Sequence, residues 1–370
     1  MGQTSKKTNM RAVIFAGGVG TRMWPLSRSQ TPKQFEKIVG DKSTLQLTID
    51  RIRPDFDWHN IYISTGIQYK KIIEKQLPQI PAINIIGEPV MRDVAGAVGY
   101  LSAILAKSAP DDPFVILWSD HLMEKVAEFK KVLAIGGEYI RENKRKFLFI
   151  GQKPRFASQN LGWIEMGRSI KKLNGLHIHK FKSWKYRPEI QLARQFFTSG
   201  HHVWNPGYWI VAPGFVLEQY EKFMPTMYKK LLTLQESYGS KGHEKILEEI
   251  YHTFEKISFD DAILEKLEPD KAVVLPADFG WSDIGTWQAL KEALQKSKTG
   301  NVVMGENYLE NSQDCLVYNT DKKLLVGVDL TGMVIVNTKD VLMICPQESM
   351  KSVKKVVNDF KANSKYKKFT

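Results

Sequence analysis

Gly17, Gly18 and Gly20, followed by Arg22 and Lys33, are the residue types needed to grip a polyphosphate. They lie in residues 16–35, AGGVGTRMWPLSRSQTPKQF. Glycine reaches backbone conformations closed to other residues, so the N–H groups of Gly17, Gly18 and Gly20 can crowd around a polyphosphate. Arg22 and Lys33 add positive charge, and Pro25 and Pro32 stiffen the segment between them. A P-loop requires Gly-Lys-Ser/Thr, whereas Thr21-Arg22 follows Gly20 here. The dinucleotide fingerprint requires a third glycine where a helix opens, but Met23 stands there with Trp24-Pro25 behind it. What remains is a distinctive glycine turn joined to two fixed cations.

The elements around this turn must place it at a sheet edge. Residues 12–15 form a short apolar run that predicts a buried parallel strand feeding the loop. Further strands are expected at 61–65, 83–87, 114–118 and 147–151, with helices at 44–52, 67–76, 95–107 and 124–143. The alternation predicts an α/β, Rossmann-like, mostly parallel sheet covered by helices. From residue 299 the chain changes to short β-rich pieces, 301–304, 315–319, 324–328 and 333–337, then a helix at 349–361. The division expected is a leader over 1–9, a catalytic domain over 10–298 and a smaller β-rich domain over 299–370, able to stack as a partial left-handed β-helix. Asp120 follows the strand at 114–118, at the carboxyl end where open α/β sheets build their sites. Its carboxylate suits magnesium, which needs only one or two protein oxygens beside phosphates and waters. His121 is read as structural.

Residues 16–35 closely resemble the N-terminal signature of sugar-phosphate nucleotidyltransferases. Within them, Trp24-Pro25-Leu26-Ser27-Arg28 and Pro32-Lys33-Gln34-Phe35 resemble the mannose-1-phosphate guanylyltransferase branch. The resemblance continues in order along nearly the whole chain. It implies transfer of GMP from GTP to mannose 1-phosphate, with Mg2+, by a cytoplasmic homodimer that binds neither nucleic acid nor membrane. Arg22, Lys33, Asp120 and Asp283 would be the catalytic residues. Asp283, in residues 280–287 GWSDIGTW, would pair with Asp120 across the metal. Ala16, Gly17, Gly18, Gly20, Thr21, Glu88, Pro89, Arg92 and Asp93 would hold the nucleotide. The Glu88 carboxylate can accept from a guanine edge, whose ring N–H and amine both donate. The bland alternative for this segment is a strand-to-helix turn with Asp93 as cap. The same chemistry with another base or hexose, or a catalytically silent nucleotide-binding homologue, also fits.

On the sugar side, residues 160–165, NLGWIE, and 204–208, WNPGY, resemble family segments that would place Gly162, Glu165 and Asn205 on the hexose. Residues 258–261, SFDD, resemble another acidic segment with Asp261 at the sugar edge, although a helix start capped by Asp260 fits equally. The family's Phe-x-Glu-Lys-Pro segment is altered to 181–188, FKSWKYRP. Either Arg187 or Lys185 would then meet the sugar phosphate, and arginine keeps the charge while changing the geometry.

With 43% hydrophobic and 25% charged residues, the chain can bury one large core and a smaller one. The net charge of +13 is scattered rather than gathered into a nucleic-acid motif. Arg141, Lys144, Arg145 and Lys146 read as an exposed helix end, and Lys365, Lys367 and Lys368 as a solvated tail. The first nine residues are too polar for a signal peptide, Lys6 spoils a myristoylation motif, and Met10 is an alternative start. Cys315 and Cys345 lack metal-ligand spacing and are expected as free thiols of a reducing compartment.

Overall fold

The computed structural model describes residues 8–18, 20–297 and 299–370. Its contacts divide the chain into two units: Met1–Gly17, Ile49–Ser119 and Met123–Trp281 in the first, and Gly18–Thr48, Asp120–Leu122 and Ser282–Thr370 in the second. The boundary expected at 298/299 falls inside the second unit, which also takes in the stretch after the first glycines. Of the expected leader, residues 1–7 lie outside the described residues. Thr8 N–H donates to Asp55 O at 2.9 Å, and Met10 is fully buried.

The first unit is built on a nine-stranded sheet. Its parallel run is β3 (Ile85–Glu88), β2 (Ile61–Gly66), β1 (Arg11–Phe15) and β4 (Phe114–Trp118). Ala12 lies opposite Ile61 on one side and Val115 on the other. Beyond β4 come His202–Val211, Phe147–Gln152, Ala272–Ala277, Leu176–Tyr186 and Gly162–Leu173. The first of these is antiparallel to β4, while Phe147–Gln152 and Ala272–Ala277 run parallel to each other. Strands buried on both faces read as unbroken apolar runs, which is why β1 and β4 were legible. The helix Asp93–Ser108 is apolar almost all round, with Ala95 through Ala106 buried, and packs against Pro213–Phe223 and Pro225–Ser237. The strand expected at 83–87 starts two residues late. Ala82–Asn84 is instead a tight turn whose Asn84 amide donates to His59 O and Ile61 O. Neighbouring β1 and β4 end side by side, where Ser119 N–H donates to Phe15 O at 3.2 Å.

In the second unit, Val302–Met304, Leu316–Asn319 and Met333–Asn337 stack in parallel, and Leu342–Pro346 closes the stack antiparallel. Asn307–Glu310 and Leu325–Val328 make a second parallel pair. Successive coils are laced by Asn337, whose amide donates to Asn319 Oδ1 at 3.0 Å. Gly305 makes the tight corner at φ +82°, where a Cβ would lie 1.9 Å from Asn319 O. The core of this unit joins Val302, Leu316, Val334 and Val336 of the coils to Met23, Trp24, Ile38, Ile284 and Trp287, with Val353 and Val357 from the helix Met350–Ala362.

The thiols of Cys315 and Cys345 are free. Among the described residues no helix is long and apolar enough to cross a membrane. At the basic helix end Lys144 pairs with Asp111 at 2.6 Å and Arg145 with Glu218, while Lys146 donates to Asp270 O. Lys365, Lys367 and Lys368 are exposed, and the last two stand in the short turn Lys367–Phe369.

Candidate active site

All four expected catalytic residues belong to the second unit. Arg22 sits in the short turn Thr21–Met23 and Lys33 in the turn Lys33–Phe35. Between them, Ser27 Oγ accepts from Lys33 N–H at 3.0 Å. Gly20, at φ +59°, faces this pair, and a Cβ there would lie 2.8 Å from Ser27 Oγ and 3.0 Å from Lys33 Cγ. Glycine is thus required for the lysine to run past the turn. Lys33 is 7% exposed, and its ammonium donates to Asp120 Oδ2. Burial works against the charge on Asp120, yet Lys33 and then His121 outweigh it and hold the carboxyl at about 2.

Asp283 Oδ1 accepts from Gly285 N–H at 2.7 Å. Gly285 is the hub of the cluster. A Cβ on it would lie 2.8 Å from Asp283 Oδ1, 2.9 Å from Lys33 Nζ and 3.5 Å from Arg22 Nη2. Two cations and a carboxylate therefore converge on one side-chain-free face, and Lys33 links them to Asp120. Among the described residues no three His, Cys, Asp or Glu gather as a metal cage. Asp120 and Asp283 are hard oxygen donors of the kind magnesium takes one or two at a time.

Of the glycine turn, Ala16 is tied into the first unit, its N–H donating to Ser64 O at 2.8 Å and its carbonyl accepting from Thr65 Oγ1 at 2.8 Å. Among the described residues, chain neighbours aside, nothing lies within 4 Å of where Cβ atoms of Gly17 and Gly18 would stand, and Gly18 has φ +93°. Gln34 pins the turn by donating to Gly18 O at 3.3 Å. Thr21 opens the turn that carries Arg22.

The remaining expected residues belong to the first unit. Glu88 ends β3, where Ser64 Oγ donates to one carboxylate oxygen at 3.1 Å and Tyr251 Oη to the other at 2.7 Å. Burial raises this carboxyl to about 7, against the pull of the two hydroxyls. Pro89 follows it, half-buried. Arg92 donates to His252 O, and Asp93 takes the left-handed φ of 65° with its carboxylate accepting from Val94 N–H at 2.8 Å. Positive φ is uncommon for a side-chain-bearing residue and marks a fixed geometry at the start of this helix.

Gly162, Asn205 and Asp261 line one cavity of about 790 Å3, together with Lys185, Asp260 and Glu265 and the aromatic walls Trp163, Trp184 and Tyr186. Asn205 Oδ1 accepts from Gly207 N–H at 2.9 Å, which fixes the amide. Gly162 leaves room beside it, a Cβ there lying 3.4 Å from Asn205 Cβ. Ser258 caps a short helix by accepting from Asp261 N–H at 3.0 Å and donates to the Asp261 carboxylate at 2.6 Å. Two expected residues do not line this cavity. Glu165 is occupied by Lys182 at 3.0 Å and Ser183 at 2.9 Å, and Arg187 lies exposed over the Tyr186 ring at 4.9 Å. Lys185 is the cation of that segment that faces the cavity.

Sequence reasoning did not single out Gly285, Tyr251 or Glu265 as site residues. Gly285 stands inside the quoted 280–287 motif, so its signal was present; Tyr251 reaches Glu88 only through the fold.

Within the second unit, Arg22 and Lys33 gathered with Asp120 and Asp283 beside Gly20 and Gly285 form a group suited to a nucleotidyl transferase. The chain belongs to that family, whose nucleotidyl transferase model matches residues 11–300, while a mannose-phosphate isomerase/GMP-like β-helix domain model matches residues 305–360. Within the family it is similar to the Escherichia coli O157:H7 protein named mannose-1-phosphate guanylyltransferase 2, at 32% identity over 95% of this chain and 73% of that one. It is similar also to the Pseudomonas aeruginosa alginate biosynthesis protein AlgA, at 29% identity over 96% and 73%. A crystal structure from Thermus thermophilus, named mannose-1-phosphate geranyltransferase, superposes with a TM-score of 0.83 at 25% identity, covering 96% of this chain and all of that one.

Proposed function

We propose that the protein transfers GMP from GTP to mannose 1-phosphate, releasing GDP-mannose and pyrophosphate. The observation that carries this reading is the convergence of Arg22, Lys33 and Asp283 on Gly285, in a chain whose relatives are named mannose-1-phosphate guanylyltransferases.

The sugar phosphate needs no general base, because its oxygen is already ionised. That oxygen attacks the α-phosphorus of GTP, a P–O bond forms, and the bond to the β-phosphate oxygen breaks as pyrophosphate departs. The obstacle is the mutual repulsion of two polyanions, and Arg22, Lys33 and the N–H groups of Gly17, Gly18 and Gly20 offset it. Held in place by Asp120, Lys33 presents its charge without reorganising. Asp120 and Asp283 are the residues that would hold Mg2+, which when bound neutralises phosphate charge. Glu88 accepts from guanine, with Pro89, Arg92 and Asp93 shaping the segment, and Asn205, Asp261 and Lys185 hold the sugar phosphate.

A cytoplasmic homodimer fits the same reading. Tyr308, Val326 and Val328 expose a run of apolar surface on the paired strands Asn307–Glu310 and Leu325–Val328, and a second copy would cover it. A monomer mass by light scattering at all concentrations would remove the dimer.

The deciding experiment is pyrophosphate release with magnesium, pairing GTP, ATP, UTP and dTTP with mannose 1-phosphate and glucose 1-phosphate. Release mainly with GTP and mannose 1-phosphate is expected. Activity in another pairing would move the substrate, and silence everywhere with GTP still bound would favour a regulatory homologue.

A further inference from the structure

Residues 24–37, around the cations Arg22 and Lys33, are fastened at several points to later residues of the second unit. Trp24 is clamped on both sides: its indole N–H donates to Phe369 O at 2.7 Å, and its carbonyl accepts from Trp287 Nε1 at 2.9 Å. Its ring meets Phe360 edge-on at 5.8 Å. Arg28 forks onto Asp340, Nη1 to Oδ2 at 2.7 Å and Nη2 to Oδ1 at 2.5 Å, while its Nε donates to Pro25 O at 3.1 Å. Ser29 Oγ donates to Thr370 O at 3.0 Å, and Lys37 O accepts from Tyr318 Oη at 2.8 Å. The indole N–H of Trp24 and the guanidinium of Arg28 are spent on this fastening.

From this we infer that Trp24 and Arg28 are positioning residues, and that Asp340 and the turn Lys367–Phe369 act as a strap holding Arg22 and Lys33 in their reactive placement. A planar guanidinium matched to a carboxylate fixes direction as well as distance, so it can hold a loop in one shape. A loop released by even an ångström would misalign cations that must face a phosphoryl group in flight. The inference rests on the reaction proposed above for its kinetic readout, and on the structure alone for its second.

The test compares Arg28→Ala, Asp340→Ala and the exchanged pair Arg28→Asp/Asp340→Arg in the full chain. Two readouts are needed, steady-state kinetics and amide hydrogen exchange of residues 20–37 without substrate. Each single variant should lower kcat about fivefold or more with KM changed less than about threefold, and should speed exchange of that segment. The exchanged pair should recover most of both. Wild-type turnover and exchange in both single variants would overturn the strap. So would an inactive Arg28→Ala beside a wild-type Asp340→Ala, because Arg28 would then be acting on substrate directly. Asp340→Asn, at a surface position, serves the same comparison if Arg28→Ala does not fold. Exchange is read without nucleotide, so a wild type inactive towards GTP and mannose 1-phosphate would sink the assigned reaction while the strap is still judged.

Discussion

Tyr251 donates its hydroxyl to Glu88 Oε2 across 2.7 Å from a helix 163 residues further along the chain. Burial pushes the Glu88 carboxyl up to about 7, and the Tyr251 and Ser64 hydroxyls restrain it. An acid whose folded pKa lies above its ordinary 4.5 holds its proton more tightly in the native state. Its contribution to stability is therefore complete below about 4.5 and is lost as pH rises through about 7. The difference in denaturation midpoint between wild type and Glu88→Gln should follow that window. If the ionised carboxylate accepts from guanine, GTP affinity should be about tenfold weaker at pH 6 than at pH 8, and Glu88→Gln should flatten the profile. Calorimetric titrations at several pH values would show it, and a wild-type profile no steeper than the variant's would remove Glu88 from base recognition.

Removal of one preorganised electrostatic group is expected to lower turnover by roughly a hundredfold. Lys33→Ala and Asp283→Ala should each do so while remaining folded by circular dichroism. Near-wild-type kcat in folded Asp283→Ala would take that residue out of the reaction.

Gly285→Ala is a sharper probe, since it adds only a methyl group. That methyl would fall 2.8 Å from Asp283 Oδ1 and 2.9 Å from Lys33 Nζ, so both must give way. Turnover should drop by about tenfold or more with a small change in melting temperature, if the displaced groups carry the proposed reaction rather than the core. An unaltered kcat would show that the face at Gly285 is not where phosphate sits.

Lys185 faces the aromatic-walled cavity and Arg187 does not. Lys185→Ala should raise KM for mannose 1-phosphate by about tenfold, the worth of one hydrogen bond to a charged group, while Arg187→Ala stays within about twofold. The reverse order of effects would return the phosphate contact to Arg187.

What the sequence disclosed was mostly local. The run at 12–15 and the glycines behind it declared a strand and a tight turn, because buried parallel strands and tight turns each impose a composition on contiguous residues. The strand Phe114–Trp118 was legible to the residue for the same reason. The paired strands Gly162–Leu173 and Leu176–Tyr186 were not, since their exposed faces carry mixed polar residues with irregular register. Likewise, no local signal shows that residues 18–48 fold with residues beyond 282, because that association rests on Trp24, Met23 and Ile38 entering a core with Trp287 and Val334. The family resemblance offered both Lys185 and Arg187, and of the two only Lys185 lines the cavity.

The clamp on Trp24 sets a timetable for the chain's synthesis. Its indole finds Phe369 only 345 residues later, whereas β1, β2, β3 and β4 are all complete by residue 118. At a ribosomal pace of about 5–20 residues per second, the loop bearing Arg22 and Lys33 waits roughly 17–70 s for its fastening while the parallel strands are free to pair. A stalled or prematurely ended chain would hold the early sheet yet lack the fastened loop, so unfinished translation products should not consume nucleotide.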